Sequence, residues 1–238
     1  MIDDRRETRS MEYRRIFDHV FGLQLWIALG VFVVVAGLLL GALVFNRARR
    51  RDKLPFAAAE HNSIEITFAV FLGGAAAFLV WLSLSNNHRL DYTDTRVVAE
   101  QTGLPGGQQP VRVDVTAFQW CWSASYPGSA VTVTGSCDTP ADRPVIVVPQ
   151  GRPVEFSLVS RDVVHAFWLP DFAVKRDAYP DHVNSLVMTF PETGQWLGRC
   201  SEYCGTYHKD MDFYVRAVPA DQYQAFLQTG ALPAGAAA

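Results

Sequence analysis

Between Cys200 and Met211 the chain places two thiols, an imidazole and a thioether in the spacing Cys-x3-Cys-x3-His-x2-Met. Soft sulfur donors mixed with imidazole select copper or zinc over hard cations, and the thioether of Met211 favours copper, because zinc rarely takes one. A mononuclear blue-copper site takes one Cys, two His and a weak axial Met, so the second Cys would be surplus and a second His must come from elsewhere. Two thiolates that each bridge a pair of copper ions use both. His165, in the segment Asp162 to Pro170 that follows a strand-like run, is the natural second imidazole. Two other readings stand beside this one: a Cys200–Cys204 disulfide, and structural zinc held with His165 and His208. Neither employs Met211.

The elements that must position these residues begin with a membrane anchor. The chain has 238 residues, and two runs, 20–45 and 66–84, contain no charged residue. Each is long enough to cross a bilayer at roughly 20 residues per helix. A cleaved signal peptide is the alternative for the first run, but its apolar region would be about 7 to 15 residues and would end at small residues. This run is longer and ends at arginine. The loop after it carries Arg47, Arg49, Arg50, Arg51 and Lys53, against only Arg89 and Arg96 just after the second run. Positive flanks stay in the cytoplasm, which places both termini and the larger domain outside. The N-terminal arginines Arg5, Arg6, Arg9, Arg14 and Arg15 oppose this, interspersed with Asp3, Asp4, Glu7 and Glu12.

From Asp91 onwards ten Lys and Arg stand against sixteen Asp and Glu, a net of −6, while the whole chain carries −3. Such a domain steers basic partners and repels nucleic acid, although surface acid also serves plain solubility. Residues 91–110, rich in Gly and Pro, read as a linker, and 231–238 as an Ala-rich tail. Between them, alternation at 111–117 and 154–158, a turn at 149–153, and strand-like runs at 185–190, 195–200 and 211–218 predict a small antiparallel β-sandwich, with a helix over 220–229. Pro191 to Gly194 should turn the first pair of these late strands, and the cysteine loop should join the second. Cys121 and Cys137 flank a hairpin turn expected at Pro127-Gly128-Ser129 and are symmetric about residue 129. That predicts a disulfide across adjacent strands; two buried free thiols are the alternative.

At this point a resemblance is evident. His165 with Phe167 and Pro170, then Lys175, Asp177, Pro180 and Asn184, then Gly198, Cys200, Glu202, Cys204, Gly205, His208 and Met211 resemble the dinuclear copper motif of cytochrome c oxidase subunit II. The layout also resembles that family: two helices in a hairpin (domain 1–90), a linker, and a cupredoxin-like Greek-key sandwich over 111–230. The resemblance implies that Cys200 and Cys204 bridge both coppers of a CuA centre, that His165 and Met211 complete one ion, and that His208 with the Glu202 carbonyl completes the other. It implies that the Glu202 carboxylate is free to share Mg2+ with subunit I, a hard cation suited to oxygen. A surface Glu without a role is the alternative. Trp120, in Phe118-Gln119-Trp120-Cys121-Trp122, is similar to the family's docking-surface Trp that passes electrons from cytochrome c, whereas Trp122 reads as core.

Glu65 opens the second run. An ionisable group at a membrane boundary is a functional candidate, and a helix-start Glu favoured by the dipole is the alternative. The Ile64-Glu65-Ile66 context resembles the mouth of the family's proton pathway into subunit I. Phe68 stands where the family has Trp, and Asp181-His182 stand where it has Gly-Arg. Asp162, Lys175 and Asp177 fall on family positions and read as solvated or salt-bridged surface charge, and His19, His61, His88 and His182 as lone histidines. The implied function is a subunit of a bacterial cell-membrane oxidase that accepts single electrons from cytochrome c and passes them to haem in subunit I. Oxygen reduction coupled to proton translocation would then belong to the complex. No Cys-x-x-Cys-His attachment motif for haem c occurs. A copper-free quinol-oxidase subunit and a copper-delivery protein are the other classes; the first would lack the ligands, and the second would not need Trp120, Glu202 or the paired spans.

Overall fold

A computed structural model describes residues 10–47, 62–87 and 109–232. The basic loop, the linker up to residue 108, the tail from 233, and His61 and His88 lie outside the described residues. The chain separates into a helical unit, Ile16–Leu90, and a unit that contains the β-domain. The helical unit has α1 (Ser10–Arg47) and α2 (Asn62–Asn87). Along their uncharged runs both are apolar all round, and large side chains such as Trp26, Phe32, Phe45, Phe71 and Trp81 stand exposed there. A helix with an apolar surface on every side suits lipid, where its backbone groups are already paired within the helix. The stretches long and apolar enough to span are Arg14–Phe45 and Asn62–Ser85. Helix α1 starts ten residues before the uncharged run. Charge limits what sits in lipid, whereas Tyr13, Arg14, Arg15 and Ile16 are good enough helix formers to extend the backbone beyond it.

The β-domain is a two-layer sandwich of β1 (Val111–Phe118), β2 (Cys121–Ser125), β3 (Thr132–Thr134), β4 (Val145–Pro149), β5 (Pro153–Ser160), β6 (His165–Leu169), β7 (Val174–Ala178), β8 (Asn184–Thr189), β9 (Gly194–Cys200) and β10 (Asp212–Val218). One sheet runs β3-β2-β1-β5-β8 and the other β4-β10-β9-β6-β7. The expected all-antiparallel sandwich needs correction, because β1 pairs parallel with β5 and β4 parallel with β10. Strand alternation reports which face is buried and carries no information on the direction of a neighbour. The turn expected at 191–194 is likewise a crossover, since β8 and β9 belong to opposite sheets. The cysteine loop does join an antiparallel pair, β9 and β10.

Between the sheets lies an aromatic core in which Trp122, Phe156, Phe167, Phe190 and Phe213 are fully buried. Phe167 and Phe213 stack with centroids 4.4 Å apart, and Trp122 meets Phe213 at 5.1 Å. Gly198 sits opposite Phe213 in the ladder, and a Cβ there would come within 2.2 Å of the ring, so the strand leading to Cys200 needs glycine at that point. Helix α3 (Ala220–Thr229) packs Tyr223 and Phe226 against Tyr126 and ends at Gly230 in the left-handed conformation. Cys121 and Cys137 form a disulfide with Cα atoms 5.3 Å apart. Strand register pairs Ser123 with Thr134, which centres the hairpin half a residue before 129. Cys137 therefore lies one step past the position opposite Cys121, in a left-handed backbone conformation with φ 59°.

Candidate metal centre

Three strand ends and one loop bring the cluster together. His165 is the first residue of β6, Cys200 the last of β9, and Met211 immediately precedes β10. The loop between β9 and β10 carries Cys204 and closes with a single 3-10 turn, His208–Asp210. Backbone bonds seat this loop: Cys200 N–H donates to the Met211 carbonyl at 3.0 Å and Ser201 N–H to that of Ala166 at 3.2 Å.

The two sulfurs of Cys200 and Cys204 are 3.9 Å apart and unbonded. That is nearly twice a disulfide length and less than two metal–thiolate bonds of about 2.3 Å, so one ion fits between them as a bridge. His165 Nδ1 lies 3.8 Å from Cys200 Sγ, His208 Nδ1 lies 3.5 Å from Cys204 Sγ, and Met211 Sδ lies 3.8 Å from the same sulfur. The Glu202 carbonyl is 3.3 Å from Cys200 Sγ. One ligand atom each from His165, Cys200 and Cys204 falls within 4.8 Å of the others. His165 and Met211 are fully buried, Cys200 and Cys204 almost so, and His208 is partly exposed beside Tyr203. This donor set of two thiolates, two imidazoles, a thioether and a carbonyl fits copper.

The protonation states follow from the neighbours. Burial alone would push the Cys200 thiol up, but hydrogen bonds with His165, with the backbone at Ala166 and Glu202, and with His208 outweigh it and bring it down to about 7. Burial and the adjacent Cys200 thiolate push Cys204 up to about 12. For His165, burial opposes the charged form, yet Cys200 and Asp162 together raise its pKa above the ordinary imidazole value.

Asp162 has a larger part than its sequence suggests. Its Oδ1 accepts from His165 Nε2 at 2.8 Å, which holds the ring so that Nδ1 faces the sulfurs. It also accepts from the backbone N–H groups of Val163 and Gln119, both at 2.7 Å. Burial would raise its pKa, and these bonds hold it below the usual carboxylate value instead. Asp162 is thus exposed and ion-paired, as expected, but its partner is the buried His165 rather than another surface group; the i,i+3 spacing to His165 was the available signal.

Lys175 and Asp177 form an ion pair at 3.2 Å, and Lys175 also reaches Glu202 Oε2 at 3.1 Å. The Glu202 carboxylate is thus paired to Lys175 here rather than free. Trp120 is half-buried; its indole Nε1 donates to the Cys204 carbonyl at 3.1 Å and its ring meets Tyr207 edge-on at 4.9 Å. Trp122 is core, and its Nε1 donates to the Met211 carbonyl at 3.3 Å. His182 pairs with Asp181 and stacks on Tyr179. Glu65 lies in the first turn of α2, in the helical unit, and His19 lies in α1.

Comparison with known proteins agrees with this geometry. The model of the family "cytochrome C oxidase subunit II, periplasmic domain" matches residues 111–218. The probable cytochrome c oxidase subunit 2 of Streptomyces avermitilis is 30% identical over 254 residues, 88% of this chain and 76% of that one. Cytochrome c oxidase subunit 2 of Mycobacterium tuberculosis is 29% identical over 266 residues, 86% of this chain and 70% of that one. Among solved structures, the periplasmic domain of subunit II of cytochrome oxidase from Bradyrhizobium japonicum is 29% identical and covers 51% of this chain and 93% of its own, with a TM-score of 0.46. That match to the Streptomyces relative takes in most of both chains, and the chain belongs to the cytochrome c oxidase subunit II family.

Proposed function

We propose that the chain accepts single electrons from cytochrome c and relays them to haem in subunit I, through a dinuclear copper (CuA) centre held by Cys200, Cys204, His165, His208, Met211 and the Glu202 carbonyl. The observation that carries this is the unbonded pair of buried sulfurs 3.9 Å apart, ringed by two imidazoles and a thioether. Bound there, a mixed-valence copper pair supplies one-electron chemistry with no bond made or broken.

The chain's own residues do the rest. Met211 and His165, fully buried, exclude water from one side, and the rigid strand ends that carry them limit rearrangement on electron transfer. Trp120 sits half-exposed over the Cys204 carbonyl, so the indole can meet a docked donor on its outer edge and the Cys204 peptide on its inner one. The surrounding acidic domain steers a basic face of cytochrome c towards it, an attraction that fades with salt. Glu202 turns its carbonyl towards Cys200 and its carboxylate outwards. We assign that carboxylate to Mg2+ shared with subunit I, for which the cation must displace Lys175. Glu65, in the first turn of α2 on the cytoplasmic side of a bacterial cell membrane, would stand at the mouth of a proton path into subunit I.

The test is copper analysis and EPR of the full chain purified in detergent. Two coppers per chain with one delocalised signal are expected. A single type-1 signal, or a protein that binds zinc in preference and no copper pair, would overturn the proposal.

A further inference from the structure

Gln119 lies in the two-residue turn between β1 and β2, has no place in the ligand set, and touches the centre from two sides. Its side-chain Nε2 donates to the Cys204 carbonyl at 2.8 Å. Its backbone N–H donates to Asp162 Oδ2 at 2.7 Å, and Asp162 Oδ1 partners His165 Nε2 at 2.8 Å. His165 and Cys204 stand on separate segments of chain, β6 and the β9–β10 loop, and Gln119 links the two by hydrogen bonds that run outside the ligand cluster. The Trp120 indole shares the Cys204 carbonyl at 3.1 Å, so two neighbouring donors occupy both lone pairs of one oxygen.

The loop is shaped to receive this contact. Gly205 has φ +118°, and a Cβ there would meet Trp120 Nε1 at 3.2 Å and Gln119 Nε2 at 3.3 Å. The Cys204–Gly205 peptide lies close against residues 119 and 120 because position 205 has no side chain and tolerates that backbone conformation.

We infer that Gln119 is a positioning residue for electron transfer: it holds the Cys204 carbonyl against Trp120 and fixes the Cys204 thiolate relative to His165, so that the path from indole to thiolate stays short. The inference rests on the copper reading given above. The Gln119 side chain is exposed, so its truncation removes little packing. Trp120 still bonds the carbonyl when Gln119 is lost, so the effect is that of one neutral hydrogen bond, about three- to tenfold in rate.

The experiment compares Gln119→Leu and Gln119→His in the assembled oxidase. Leucine removes the donor at similar length, whereas histidine offers an Nε2–H at similar reach. Three quantities are read: copper per chain, the EPR hyperfine splitting of the copper pair, and stopped-flow reduction by cytochrome c, resolved into a saturating rate and a half-saturation concentration. Both variants should keep two coppers. Gln119→Leu should shift the splitting and slow the saturating rate about three- to tenfold at unchanged half-saturation, and Gln119→His should stay within about twofold of the wild type. A leucine variant with wild-type splitting and rate overturns the inference, as does a histidine variant impaired as much as leucine. A change confined to half-saturation also overturns it, because Gln119 would then be a docking contact. A wild-type chain without two coppers overturns the copper reading and this role together, whereas failure of the leucine arm alone leaves the copper reading standing.

Discussion

The β-domain holds two pairs of cysteines, and only one of them is bonded. Cys121 and Cys137 are joined, while Cys200 and Cys204 stay 3.9 Å apart although only three residues lie between them. Both pairs occupy the same compartment, so redox conditions alone do not account for the difference. The surroundings do. Cys121 and Cys137 are both buried, and the Gly135 position lies between Cys121 Sγ and the Pro144 ring: a Cβ there would meet that sulfur at 2.9 Å and the ring closer still. Cys200 and Cys204 instead face His165, His208, Met211 and a carbonyl, all turned towards the space between the sulfurs. A thiol pair becomes a staple where packing closes over it, and a ligand pair where other donors hold its members apart.

Four measurements test that contrast. The largest effect is expected from Cys204→Ser, which removes one bridging thiolate; the two-copper EPR signal should vanish, and a variant that keeps it would erase the distinction between the pairs. Next, Cys121→Ser combined with Cys137→Ser should lower unfolding free energy by about 3 kcal/mol, the value for a loop of this length, with copper per chain unchanged in denaturant titration followed by metal analysis. Loss of copper there would make the staple part of the centre. Third, Asp162→Asn weakens the hold on His165, so chelator competition should show copper affinity reduced about 10- to 100-fold, with unchanged affinity removing Asp162 from the centre.

The smallest effect is on pH dependence. In the metal-free protein Cys200 titrates near 7 and Cys204 near 12. Between those two values copper must expel the Cys204 proton. Below about 7 Cys200 holds a proton as well, and the raised pKa of His165 adds to the competition, so apparent affinity should drop more steeply in acid than above neutrality. A single slope across the range would mean that the two thiols of this pair are equivalent.

The cluster of candidate donors was legible because all but one of its members lie within twelve residues and the remaining His follows a recognisable strand. The all-antiparallel expectation failed at β4 and β5, whose parallel partners β10 and β1 are remote in sequence and leave no mark on local alternation. Asp162 was legible as a salt-bridged surface charge but its partner was not, because a short acidic residue beside a strand looks the same whether it pairs with a surface group or a buried imidazole. The position of Cys137 was legible to within one residue; its left-handed backbone, which turns the sulfur back towards Cys121, was not. For Glu202, spacing located the residue but could not reveal Lys175, which approaches from β7 on the far side of the loop.

The two parallel pairings also bear on the order of assembly. Strand β4 waits for β10, the last strand of the domain, and contacts between distant segments form slowly because a long loop must close first. Until β10 docks, Met211 and the loop before it have no fixed relation to His165. During that interval Cys200 and Cys204 are the two cysteines nearest in sequence, and four cysteines admit three complete pairings. Short-loop closure in the unfolded chain favours joining Cys200 to Cys204, which takes both thiols away from a metal at once. Oxidation before the last strand arrives is thus a kinetic hazard set by topology, and a chain delivered to its compartment with those thiols kept reduced until folding ends escapes it.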